Sequence, residues 1–245
     1  MQIRHLVRAG ARLLGYEAFP TYLAERRPLA LRLRHLLDHC GVERVIDVGG
    51  NRGQYHDFLR FDVEWRGPIL SFEPDPEMAA VMRDKAVADP LWQVRPEALG
   101  RERGVRTFNR MRMTGYNSFL APVAGGDPGN VPVARFDVTV VPLDDLLPEL
   151  GPLDRTFVKL DTQGFDLEVL AGGPGAFAAV PLVQTEVSFR PIYEGSPSWV
   201  QGVAAFEEAG FLFADLLCGS PAQGAIWEAD CLMLKPAYAA WAPRG

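Results

Sequence analysis

The stretch Val45-Ile46-Asp47-Val48-Gly49-Gly50-Asn51-Arg52-Gly53 decides the fold. A short apolar run carrying one acid ends in a glycine-rich turn, and Gln54 to Arg60 read as the opening of a helix. Strand, tight turn and helix form the first half of a βαβ unit, and such a turn suits a nucleotide-like ligand. Glycines allow close backbone approach, and the helix N-terminus offers free N–H groups.

The spacing narrows the ligand. A dinucleotide site wants G-x-G-x-x-G, whereas Asp47, Gly49, Asn51 and Gly53 give Asp-x-Gly-x-Asn-x-Gly, with Gly50 inside the turn. An acid at this turn repels a pyrophosphate. It favours a ligand with cationic or neutral groups, and S-adenosylmethionine (SAM) has an ammonium and a sulfonium. The next apolar run, Pro68 to Phe72, closes on Glu73-Pro74. An acid at the end of a second strand can accept both ribose hydroxyls. Glu97-Ala98, after a third strand, falls where an adenine edge is read.

Working outward, strands are expected at 44–48, 68–73, 91–95, 155–161, 181–187, 211–217 and 226–234, and helices at 52–61, 75–88, 165–171 and 198–209. Continuous apolar strands separated by helices predict an α/β fold with a parallel sheet covered on both faces. The last two strands are joined only by Cys218 to Ala225, too short for a helical crossover, so they form an antiparallel hairpin. Between strands three and four, Gly104–Met111 and Phe136–Val141 are strand candidates around a Gly-, Pro- and Asn-rich loop, Thr114 to Asn130. A loop this long is a candidate substrate cover, and Asn117 and Ser118 in it offer groups that orient a substrate. The expected organisation is a helical extension over 1–40 and one domain over 41–245.

The net charge of −6 argues against a nucleic-acid partner. Residues 1–34 carry seven arginines and two glutamates, leaving +5 there and −11 over the remainder. Residues 2–17 read as a basic amphipathic helix, packed on the domain or, as a sharper alternative, touching a membrane surface. A homo-oligomer is allowed but not required. Cys40, Cys218 and Cys231 show no metal-like spacing and read as buried free thiols. There is no apolar run of about 18 residues and no signal-peptide pattern, so a cytoplasmic protein is expected.

Strand four, Phe157-Val158-Lys159-Leu160-Asp161, places a lysine in an apolar run, which is costly unless paired. Asp161 ends this strand and Glu186 closes the next, so Asp47, Glu73, Asp161 and Glu186 line one crevice. Two acids can serve the cofactor. The other two, Asp161 and Glu186, can act as a general base, hold a divalent metal such as Mg2+, or neutralise Lys159.

Together these segments resemble the FkbM family of SAM-dependent O-methyltransferases. The resemblance rests on Val45–Gly53, on Phe72-Glu73-Pro74, on Val158 to Gly172 and on Thr185-Glu186-Val187-Ser188, within residues 41–235. Many members carry Glu where Gln163 stands, which removes an acid here. The resemblance implies a class I methyltransferase (Rossmann-like) fold: a seven-stranded, mostly parallel sheet with the last strand antiparallel. It implies methyl transfer from SAM to a hydroxyl of a sugar, polyketide or other natural product. The implied cofactor set is Asp47, Gly49, Gly50, Asn51, Gly53, Glu73, Pro74, Glu97 and Ala98. Asp161 is expected to handle the acceptor proton with Glu186 and Lys159 in support, and Asn117, Ser118 and Gln163 to meet the acceptor. An NAD-dependent oxidoreductase and a non-catalytic SAM-binding module are the alternatives.

Overall fold

The computed structural model describes residues 26–218 and 226–239, together with Gly10 and residues 13–15. The helix predicted over 2–17 therefore lies almost wholly outside the described residues, as does the connection 219–225. A helix α1 (Arg26–His39) leads into β1 (Arg44–Val48), α2 (Gln54–Phe58), β2 (Ile69–Phe72), α3 (Pro76–Ala86) and β3 (Trp92–Arg95). Then come three strands of a separate sheet, β4 (Ala98–Leu99), β5 (Gly104–Met111) and β6 (Pro132–Val141). The chain continues through α4 (Leu147–Leu150), β7 (Thr156–Leu160), α5 (Asp166–Ala171), α6 (Pro174–Ala179), β8 (Leu182–Ser188), α7 (Trp199–Glu208), β9 (Leu212–Cys218) and β10 (Glu228–Leu234).

The main sheet has seven strands in the order β3-β2-β1-β7-β8-β10-β9. Its pairs are parallel except those of β10, which runs antiparallel to β8 and β9. This is the expected α/β architecture with its final strand reversed. Strands β2 and β7 are buried at every residue because helices cover both faces. On one face Ile46, Phe72, Val158 and Val183 pack with Val169, Phe177 and Phe206. On the other, Val45, Ile69, Phe157 and Leu182 pack with Phe58 and Leu59, and with Ala30, Leu33 and Leu37 of α1. The helix α1 therefore shares the sheet's core, and a boundary after residue 40 separates no core from another.

Local chemistry fixes the helix that follows Glu73-Pro74. Asp75 caps α3 by accepting from the Glu77 and Met78 N–H groups, and Pro76 fills the first position, where no donor is needed. Arg110 on β5 donates to both Asp75 oxygens and ties the small sheet to this cap.

The small sheet is the main departure from expectation. β5 and β6 form an antiparallel hairpin, with β4 paired parallel to β6. The second strand starts at Pro132 rather than Phe136, which a proline permits at the first position of a strand. The helices α4 and α6 span 4 and 6 residues, too short to show a helical period in sequence. Among the described residues no helix is long and apolar enough to cross a membrane. Cys40 and Cys231 are buried free thiols, as expected.

Candidate active site

Polar side chains are rare on the two faces of the main sheet, so their placement is informative. Ser71, Asp47, Lys159 and Gln184 stand side by side on β2, β1, β7 and β8, in direct register. All four are buried. Ser71 donates to Asp47 Oδ2 at 2.9 Å, and Trp92 Nε1 donates to Ser71. Lys159 Nζ lies 3.2 Å from Asp47 Oδ1 and 3.2 Å from Asp161 Oδ2. Burial alone would lower the lysine's pKa, but Asp161 and Asp47 outweigh it and hold the ammonium above its ordinary value. Tyr55 of α2 sits over this row, with its ring 4.9 Å from Lys159 Nζ and its hydroxyl donating to Gln184 Oε1 at 2.7 Å.

A cavity of about 400 Å³ opens at the C-terminal ends of the parallel strands. The glycine turn, Glu73 and Pro74 border it on one side, and Asp161, Glu186 and Asp230 on another. Gly49 has φ 85°, and a Cβ there would come within 2.0 Å of the Asp161 carbonyl oxygen. Any side chain at 49 would push β1 and β7 apart where the cavity begins. Glu73 is a shared acceptor: Oε2 takes the Asn51 N–H at 2.6 Å and Oε1 the Asp75 N–H at 2.8 Å. Burial raises its pKa to about 7 against these two donors.

Gln163 joins the acids. Its Nε2 donates to Asp161 Oδ1 at 2.9 Å and to Glu186 Oε2 at 2.7 Å, and its Oε1 lies 2.7 Å from the hydroxyl of buried Tyr193. It adopts a left-handed conformation, φ 54°, which costs a non-glycine residue about 1 kcal/mol and is held here by these bonds. The amide nitrogen stands between the two acids, where a shared cation would have to sit. Among the described residues no cluster of three or more His, Cys, Asp or Glu side chains could hold a metal ion. The Mg2+ reading of Asp161 and Glu186 gains no support from the structure.

Gly49, Gly50, Asn51, Glu73, Pro74, Ala98, Asn117, Lys159, Asp161, Gln163 and Glu186 all border the cavity. Asp47, Gly53, Glu97 and Ser118 do not. Asp47 is 0% exposed and consumed by Ser71 and Lys159, so it braces the turn from behind. Gly53 backs onto Trp92, which a Cβ would meet at 2.6 Å. Glu97 pairs with Arg95 at 2.7 Å outside the cavity, whereas Ala98 lines it. Asn117 borders the cavity, but its amide is engaged by the Met111 N–H and Asp75. Ser118 is fully buried and donates to the Gln163 carbonyl at 2.7 Å.

Sequence reading did not single out Asp230, Gln184, Tyr55, Tyr193 or Leu29. The alternation of Glu228 and Asp230 in an apolar strand was an available signal, since residues two apart share a face. Burial raises Glu186 well above the usual carboxylate range, with Asp161 adding to the effect, and raises Glu228 to about 7. Burial also raises Asp230. A carboxyl raised by folding stabilises the folded state below its unfolded pKa, and that contribution is lost as pH climbs through the folded value. For Glu73 and Glu228 the window runs from about 4.5 to about 7. The thermal midpoint of the ligand-free protein is therefore expected to fall by about 5 °C or more between pH 5 and pH 8. A midpoint that rises across this window in a melting series contradicts the assignment.

The sheet order and a cavity walled by a glycine turn and strand-end acids define a class I methyltransferase fold. Residues 47–213 match the profile of the methyltransferase FkbM domain, and the chain belongs to that family. A solved methyltransferase FkbM from Methylobacillus flagellatus KT superposes with a TM-score of 0.53 at 16% identity, covering 79% of this chain and 44% of that one. The chain thus spans less than half the length of that relative. The magnesium protoporphyrin IX methyltransferase of Synechocystis PCC 6803 superposes with a TM-score of 0.48 at 10% identity, covering 94% and 98% of the two chains. No curated protein matches the sequence.

Proposed function

We propose that the protein is a SAM-dependent O-methyltransferase acting on a hydroxyl of a small molecule such as a sugar, polyketide or other natural product. The observation that carries the reading is that one cavity joins the glycine turn and Glu73 to the Gln163-clamped pair Asp161 and Glu186. The donor set fits the cofactor. Glu73 accepts from two backbone N–H groups in the cavity wall, and the buried Asn51 Oδ1 has no hydrogen-bond partner among the described residues. Glu73, Asn51, Gly49, Gly50, Pro74 and Ala98 would hold the nucleoside and methionine parts.

Bound SAM supplies an electrophilic methyl group on a sulfonium. Asp161 would take the acceptor hydroxyl's proton as that oxygen displaces sulfur from the methyl carbon, one C–O bond formed for one C–S bond broken. Its side chain is 38% exposed and faces the cavity, whereas that of Lys159 is 4% exposed. Lys159 therefore positions Asp161, and Gln163 fixes the other carboxylate oxygen. The missing G-x-G-x-x-G and the family membership weigh against a nicotinamide enzyme. A pure binding module has no use for a clamped acid pair.

Calorimetric titration with SAM and with NAD tests the cofactor, followed by a screen of hydroxyl acceptors for methyl transfer. SAM is expected to bind at micromolar concentration and NAD not at all. Binding of NAD in preference to SAM sinks the proposal.

A further inference from the structure

Resting on the methyltransferase reading, we infer that the acceptor is an amino alcohol, such as an amino sugar, whose cationic amine is held by Glu186 and Asp230. These residues are direct cross-strand partners on antiparallel β8 and β10, and both border the cavity. Like charges opposed across a strand pair weaken a sheet. Among the described residues no ion pair offsets this one, and neutral amides supply its side-chain hydrogen bonds. Glu186 receives one hydrogen bond at Oε2 from Gln163, besides the backbone bonds of its strand, and Asp230 one at Oδ1 from Gln184 at 2.9 Å. Among the described residues no hydrogen bond reaches Glu186 Oε1 or Asp230 Oδ2.

Lys159 is the sole cationic side chain among the described cavity-bordering residues, and Asp47 and Asp161 hold it. Lys159 eases the charge on Asp230 without touching it, and among the described residues no cation forms an ion pair with Glu186 or Asp230. Burial, reinforced by Asp161, disfavours their ionised forms, and an ammonium between them would restore both charges. The cofactor's own ammonium is a rival for these acids, but the glycine turn that would receive it follows β1, next to β7. Glu186 and Asp230 lie one and two strands farther along the order β7-β8-β10. The cross-strand pair is thus left for the second ligand. An amine held as an ammonium has no free lone pair. Oxygen, not nitrogen, is then the nucleophile, which agrees with a hydroxyl acceptor.

The test uses the full chain loaded with S-adenosylhomocysteine (SAH) and two matched probe series at neutral pH. One is glucosamine, glucose and glucuronate; the other is 2-deoxystreptamine and myo-inositol. In at least one series the amine is expected to bind at least about tenfold tighter than its neutral counterpart, about 1.4 kcal/mol, and glucuronate weakest of its three. Glu186→Gln with Asp230→Asn should erase the preference, while Glu102→Gln at an exposed site should keep it. Neutral or anionic probes binding as tightly as the amines overturn the inference. So does a preference that survives the double substitution, or no amine binding up to about 50 mM. Failure of SAH itself to bind is a different result, and it removes the methyltransferase reading instead.

Discussion

Glu73→Ala is expected to weaken SAM binding by at least about 100-fold, about 2.7 kcal/mol, while the protein stays folded. The size follows from what the carboxylate does twice. It accepts the Asn51 and Asp75 N–H groups, and so fixes the glycine turn relative to the cap of α3. Alanine leaves both donors without a partner, at a cost of about 1–3 kcal/mol for each buried group. It also removes the acceptor oxygens from the cavity wall. Glu73→Gln should fall between the two, because an amide offers one acceptor oxygen where the turn uses two. The sheet itself does not depend on Glu73, so far-UV circular dichroism should be unchanged. A SAM dissociation constant within about threefold of the parent would falsify the assignment of Glu73 to the cofactor.

Asp161→Asn is expected to lower kcat by about 10²–10⁴-fold, the range of a lost general base, with a much smaller change in SAM affinity. Asparagine keeps an oxygen for the Gln163 amide and differs by the charge and the ability to take a proton. Lys159 would keep Asp47 as its partner, so the buried ion pair survives the change. Single-turnover kinetics with an acceptor from the screen separates the chemical step from binding. A loss below about tenfold in that step would move the base role elsewhere, with Glu186 the next acid in the clamp.

Much of this site was legible because it is written in short, local patterns. Glycines after an apolar run fix a turn, and acids at strand ends must gather at one sheet edge once the strands are parallel. What could not be read was which neighbour each charge would meet. Its place in the turn motif points Asp47 at the ligand, yet register sets it beside Lys159 and spends it there. The possible partners considered for Lys159 were Asp161 and Glu186, and the structure pairs it with Asp161 and Asp47. Gln163 marks a lost charge in the sequence, and in the structure its amide bridges two acids. Asp230 comes from a strand that runs against the others, so its arrival at the cavity depends on the order β8-β10-β9. No local period encodes that order. The hairpin β5–β6 was visible only as two strand candidates, because its partner strand lies across a loop whose residues carry no repeating pattern.

The small sheet has a consequence for descent. Apart from Ala98 on β4, the residues proposed to hold the cofactor, and the acids at the far strands, belong to the main sheet and its adjoining turns. Phe108, Thr114, Gly115, Asn117 and Phe119, which roof the cavity, come from one uninterrupted piece of chain between β4 and β6. That piece leaves the frame near Gly100 and returns at Pro142. A lineage could vary it as a single block so long as Arg110 still ties to Asp75 and Ser118 to Gln163. New acceptors can then be explored by editing the roof, and the chemistry beneath is inherited intact.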